Sequence, residues 1–340
     1  MTALLVTRRN AMRAATGAAL ALPYAARAAG GLNGSYTIRF GTLWPVSRWD
    51  NMVMEGFAAR VKQLTDGHVT VQLFPNSQLG DERSMTESVK TGALQMTSGG
   101  GPIQGFVPEV GLFYLGYLYR SYEQFVHVWS LGKSSVADNI AAHVQQRAGI
   151  KVLGYVCGGA RDTVLRNHPI KTLADFKGLK IRADQAPTST GVLMALGASP
   201  TPVAYAEVYQ ALQTGVVEAA ENPPSGLIGQ KWYEVTKFLS LTDHQYVLHL
   251  LQMNLAFWES LPEKYQRAVQ QAADATVEDY NNHARENRSA EIKELAGKGL
   301  VVNQIPDKTA FIDAAKPFNQ RFIQKYHLEK EYDAILATPA

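Results

Sequence analysis

The sequence holds one cysteine, Cys157, in 340 residues. A single thiol closes no intrachain disulfide, so no covalent framework supports this chain. Cys157 reads as a small buried residue near a strand end, not as a nucleophile. Charge is sparse at 19%, while 46% of residues are hydrophobic. That balance excludes wholesale disorder and suits one or two packed domains. Long apolar runs are also lacking. The segment from Ala14 to Ala26 is too short to span a bilayer as a stable helix, and no other stretch comes closer.

The signatures of common catalysts are missing too. There is no G-x-S-x-G, hence no nucleophile elbow. Eight histidines include no H-E-x-x-H, and His244 and His249 are five apart, a poor spacing for one helical face. Gly132-Lys133-Ser134 has the ending of a phosphate-binding loop, but His127 stands where its first glycine is required. No patch interleaves Lys or Arg with aromatics, which argues against a nucleic-acid platform. No metal cluster or cofactor motif stands out, and no repeats follow the first 29 residues.

The formal net charge of +3 is a property of the amino terminus. Residues 1–29 contain Arg8, Arg9, Arg13 and Arg27 and no acid; without these four, the 33 basic residues become 29 against 30 acidic ones. Thr7-Arg8-Arg9-Asn10-Ala11-Met12-Arg13 is a twin-arginine-like basic region. The apolar run follows it, and Ala26-Arg27-Ala28 fits a small-x-small cleavage site. This segment is expected to be a signal peptide, which directs the protein to the periplasm by the Sec or the twin-arginine route.

After the leader, Tyr36 to Thr42 reads as a strand, Met52 to Leu64 as an amphipathic helix and Val69 to Phe74 as a second strand. A β-α-β start implies a parallel sheet. A helix opens near Gln78-Leu79-Gly80-Asp81-Glu82-Arg83 and closes at Gly92. Met96-Thr97-Ser98 is a third strand, and Pro108 to Tyr119 reads as core. Tyr122 to Gln146 is largely helical, and Lys151 to Val156 is a strand after which the chain crosses to a second lobe. It returns near Phe238 to His249. Pro262 through Gly297 then gives 36 helical residues, about 54 Å at 1.5 Å per residue. A strand at Leu300 to Asn303 and a helix around Thr309 to Tyr326 complete the pattern.

Leu173 to Pro224 organises the rest. Lys180-Ile181-Arg182 is a short strand with a cation at its carboxyl end. Tyr205 to Thr214 has helical spacing and stops at Gly215. Val216 to Ala219 reads as a strand broken by Glu221-Asn222-Pro223. Ligands of open α/β sheets bind at such strand ends, and the guanidinium fork matches a carboxylate.

Asp175-Phe-Lys-Gly-Leu-Lys-Ile-Arg182, Gly197-Ala-Ser-Pro-Thr-Pro202, Glu207-Val-Tyr-Gln-Ala-Leu-Gln-Thr-Gly215 and Glu221-Asn222-Pro223 occur in order. Together they resemble the solute-binding proteins of tripartite ATP-independent periplasmic (TRAP) transporters, the DctP-like family. The resemblance covers about residues 36 to 327. It implies an α/β, two-lobed periplasmic binding protein fold with discontinuous domains, crossing strands and a long bridging helix. Lobe I would hold residues 36–157 plus 246–286, and lobe II residues 158–245 plus 287–330. Two departures lie beside the expected ligand: Ala220 stands where Gln is usual, and Ala183-Asp184 follows Arg182 where Val-Pro is more usual.

The resemblance implies that Arg182 pairs with a ligand carboxylate and Arg161 assists. Asn222 offers an acceptor and two donors to a ligand oxygen, and Tyr205 can pack on the ligand body. Trp44, Arg48 and Trp49 follow the first strand and would supply the opposite lobe, with Gln78 and Glu82 as further candidates. Some relatives bind a cation with the acid, which makes Glu221 a metal candidate. The expected function is capture of a small organic acid by hinge closure and delivery to a TRAP permease, by a monomer without cofactor, catalysis or nucleic-acid partner. The same lobes could instead serve a sensor kinase or another transporter, or belong to a secreted hydrolase or lyase.

Overall fold

The computed structural model describes residues 34–340; the leader, with its arginine pair and cleavage site, lies outside the described residues. The first elements are β1 (Tyr36–Gly41), α1 (Trp49–Leu64), β2 (Val69–Phe74), α2 (Glu82–Thr91) and β3 (Met96–Gly99). Two 3-10 turns, Pro102–Gly105 and Pro108–Tyr114, lead to α3 (Tyr122–Val128), α4 (Ser135–Ala148) and β4 (Ile150–Ala160). Then come β5 (Asp162–Leu165), β6 (Lys180–Ala183), α5 (Pro187–Ala195), β7 (Ser199–Pro202), α6 (Val208–Thr214), β8 (Ala219–Asn222), α7 (Pro224–Gly229) and β9 (Phe238–Leu241). The chain ends with β10 (Tyr246–Asn254), α8 (Leu255–Ser260), α9 (Glu263–Gly297), β11 (Val301–Gln304), α10 (Thr309–Tyr326) and α11 (Glu329–Ala337).

The strands form two sheets. The first has the order β2-β1-β3-β10-β4, the second β11-β9-β5-β8-β6-β7. Alternation along the strands sorts side chains onto the two faces of each sheet. In the first, Phe40, Met96, Leu153 and Leu251 join α1 and α9 in one core. Val152, Tyr155, Leu248 and Leu250 join α4 and the 3-10 segment in another. In the second, Leu165, Ile181 and Ala219 pack under α5 and α10, while Val164, Ala220 and Leu239 pack under α6 and α7.

Besides its course along α9, the chain passes between the sheets twice, at Arg161 and at 242–245. The two passages run side by side, joined by Arg161 N–H donating to the Gln245 carbonyl at 2.8 Å. The long helix α9 reaches both sheets: Val269, Ala273 and Tyr280 pack with the first, Leu295 with the second. From its carboxyl-terminal third Arg288 clamps both passages, pairing with Asp162 at 2.9 Å and with Asp243, and donating to the Ala160 carbonyl at 3.1 Å. Asp243 holds a left-handed backbone, φ 44°, which an Asp tolerates better than a bulky residue.

Several element readings are corrected. Val216 to Ala219 is not the strand: Val216 is exposed, and β8 starts at Ala219, where pairing with Ile181 and with β5 begins. Glu221 and Asn222 therefore lie inside the strand. The helix of Tyr122 to Gln146 is two helices. β4 runs on to Ala160, and Trp49 belongs to α1. β7, Ser-Pro-Thr-Pro, carries no alternation; its prolines are tolerated because it is an edge strand. α5 and α11 were not anticipated. Pro108 to Tyr114 is core as expected, and Cys157 is buried, with burial pushing its thiol up.

Candidate functional site

The carboxyl ends of β6 and β8, the first passage, the loop after β1 and the start of α2 converge on one narrow cavity that is partly open to solvent. Of the residues singled out in the sequence, Trp44, Arg48, Glu82, Arg161, Arg182, Tyr205 and Asn222 line it. Two do not. Trp49 opens α1 and stacks on His283 of α9 at 4.0 Å between centroids, and Gln78 is exposed on the turn before α2.

The three arginines differ in what they already hold. Arg161 is spent on the chain itself: Nη1 donates to Glu221 Oε2 at 2.7 Å and Nη2 to Asp184 Oδ2 at 2.8 Å. Arg48 is ion-paired with Asp50, and its Nη1 donates to the Tyr205 hydroxyl at 2.7 Å and Nη2 to Ser225 Oγ at 3.2 Å. It thus straps the loop after β1 to the second sheet's elements. Arg182 is held by its Nε, which donates to the Val203 carbonyl at 3.1 Å. Its nearest acid is Glu221 Oε1, 3.7 Å from Nη1. Among the described residues, neither Nη of Arg182 makes a hydrogen bond.

Glu221 is fully buried against these guanidiniums and does not line the cavity. Burial pushes its carboxyl up, with Arg161 opposing. The cation role considered for Glu221 thus finds its oxygens turned to arginines. Among the described residues no cluster of three His, Cys, Asp or Glu is arranged to hold a metal ion.

Glu82 Oε1 accepts from Gly100 N–H at 2.7 Å and Gly101 N–H at 3.1 Å. Burial pushes its carboxyl up to about 7, Asp184 adds to the shift, and the two amides and Arg182 oppose it. Asn222 donates to the Tyr205 hydroxyl at 3.4 Å. Its position needs Gly226, where a Cβ would stand 2.5 Å from Asn222 Nδ2.

Sequence reasoning did not select Asp184, Tyr114, His249 and Tyr280, which also line the cavity. Asp184 carried a signal, as an acid beside Arg182 in an unusual place. The others come from distant segments with no local mark. His244 is buried and His249 half-buried, and desolvation with the Arg161 charge lowers both to about 3, so both are neutral at physiological pH.

The family model for bacterial extracellular solute-binding protein, family 7 (DctP), matches residues 40–325. The chain belongs to that family. The 2,3-diketo-L-gulonate-binding periplasmic protein YiaO of Escherichia coli K12 is 31% identical over 279 residues, 82% of this chain and 84% of that one. A TRAP periplasmic solute-binding protein from Bradyrhizobium sp., solved with D-galacturonate, superposes with TM-score 0.83 at 32% identity, covering 88% of this chain and 99% of that chain. Another from Polaromonas sp. JS666, bound to D-erythronate, gives TM-score 0.85 at 27% identity and covers 90% and 100%. Like them, this DctP-family chain is a two-lobed α/β solute-binding protein of the TRAP type.

Proposed function

We propose that this protein captures a small organic acid anion between its lobes in the periplasm and delivers it to a TRAP permease. The observation that carries the reading is Arg182, whose two Nη atoms make no hydrogen bond to the described residues at an interlobe cavity where Arg48 and Arg161 are both held by close ion pairs. Its planar fork would take the carboxylate bidentately. Asn222 would orient the ligand through an oxygen, while Tyr205, Trp44 and Arg48 would close over it. Arg161 would act chiefly by holding Glu221 and Asp184. The related proteins solved with sugar acids support this ligand class.

The lobes would be built on the two sheets, 36–157 with 246–286 and 158–245 with 287–330. The side-by-side passages and α9 would be the hinge. Ligand contacts from both lobes would stabilise the closed form, which presents a new surface to the permease. Residues 1–29 would be removed on export. The protein would work as a monomer, without cofactor and without turnover.

Mass spectrometry of denatured, freshly purified protein would reveal an acid carried from expression, and a thermal-shift series would rank a carboxylate panel. A ligand of the folded state at a hundredfold excess over Kd stabilises by about 2.7 kcal/mol. Stabilisation by at least one acid, recovered unchanged after incubation, supports the reading. A panel without any shift, from protein that carried no acid, would refute it.

A further inference from the structure

The cavity wall carries three guanidiniums, but two are neutralised within the chain. Asp50 holds Arg48, and Asp184 with Glu221 holds both arms of Arg161. Asp184 Oδ1 is fixed by the Ala186 N–H at 3.2 Å, so its other oxygen is presented to Arg161 by the backbone. That leaves Arg182 as the cation for one carboxylate. Two acids, Glu82 and Asp184, share the same wall. Glu82 uses Oε1 on the Gly100 and Gly101 amides, and its Oε2 accepts from no described residue. His249, the histidine on this wall, adds no charge, since desolvation keeps it neutral.

A second carboxylate in this space would meet no open cation, and would face Asp184 and, as pH rises through about 7, an ionised Glu82 as well. An isolated buried anion is costly, and like charges sharing a site oppose joint ionisation. Hydroxyl groups would instead find acceptors. We propose that Asp184, by occupying Arg161 and standing with Glu82 on the wall, makes the site selective for hydroxylated monocarboxylates against dicarboxylates of equal length. This rests on the ligand class proposed above and adds a residue that sets the choice within it.

The test uses two pairs of acids that differ only at the terminal carbon: D-erythronate against meso-tartrate, and D-galactonate against galactarate. Isothermal titration calorimetry would compare the mature wild type with Asp184→Asn and Glu82→Gln. Both substitutions keep size and an acceptor oxygen while removing one negative charge, and each covers for the other should one fail to fold. The wild type should prefer the monocarboxylate of a bound pair by at least about 100-fold, and each variant should shrink that ratio at least tenfold. A wild type that binds the dicarboxylate within tenfold of its partner overturns the inference, as does an unchanged ratio in the folded variants. In either case the carboxylate-binding function survives. If the wild type binds none of the four acids, the inference falls, and the thermal-shift panel decides the broader reading separately.

Discussion

Tyr205→Phe removes one oxygen and leaves the ring packed on Trp232 at 5.8 Å. That oxygen accepts from Arg48 Nη1 at 2.7 Å and Asn222 Nδ2 at 3.4 Å. The Arg48 bond crosses from the loop after β1 to the second sheet's side. With the lobes apart, Arg48 Nη1 would turn to water, so the loss should fall on the closed state. A hydrogen bond to a charged group contributes about 1.5–3 kcal/mol net. Tyr205 is only half-buried and water competes with it. The lower end therefore applies, about 1.5 kcal/mol or roughly tenfold in Kd. Calorimetry with whichever acid stabilises the wild type measures this directly. Arg48→Ala should cost more, because Asp50, fully buried, loses its cation. In Tyr205→Phe/Arg48→Ala the tyrosine change should then add little, since its main partner is gone. An affinity for Tyr205→Phe within twofold of wild type would refute the strap, and so would full additivity in the double variant.

Gly226→Ala places a Cβ 2.5–2.9 Å from three atoms of the Asn222 side chain. It should displace that amide, weaken binding at least about tenfold, and cost about 1–3 kcal/mol of stability by overpacking; Asn222→Ala should reproduce the binding loss in the same titration. The pH dependence should track Glu82, whose carboxyl is raised to about 7 by burial and Asp184, against the amides of Gly100 and Gly101 and the Arg182 charge. A folded-state value above the unfolded one contributes stability fully present below about 4.5 and lost as pH rises through about 7. A bound anion further disfavours the ionised form, so affinity should fall by up to about tenfold per unit above pH 7. Glu82→Gln should flatten that slope in calorimetry across pH 6–9.

Local chemistry was legible where it is self-sufficient. Gly215 stops α6 with φ 80° and Gly92 stops α2 with φ 83°, and both were readable from spacing and a glycine. β6 and α10 also follow from their own periodicity. β8 could not be placed that way, because Val216 is as apolar as Val217. The Ile181–Ala219 pairing and the register of Asp162 with Asn222 fix where that strand begins. β7 exists only because β6 offers it an edge. The charge state of the site was equally hidden. Arg161 and Glu221 are 60 residues apart, and nothing local shows that they hold each other at 2.7 Å. The pairing of Trp49 with His283 across the whole chain is of the same kind. Sequence spacing could place arginines at strand ends, but not say which was already engaged.

The most direct measurement is the calorimetric affinity of Arg182→Ala beside wild type, for an acid that stabilises the wild type. Arg161 remains to hold Glu221, so the variant should stay folded and show its own cooperative thermal transition. Removing one partner of a buried charge pair costs about 2–5 kcal/mol, so the variant should bind at least about 30-fold more weakly. An affinity within threefold of wild type in folded protein would contradict the claim that Arg182 anchors the ligand.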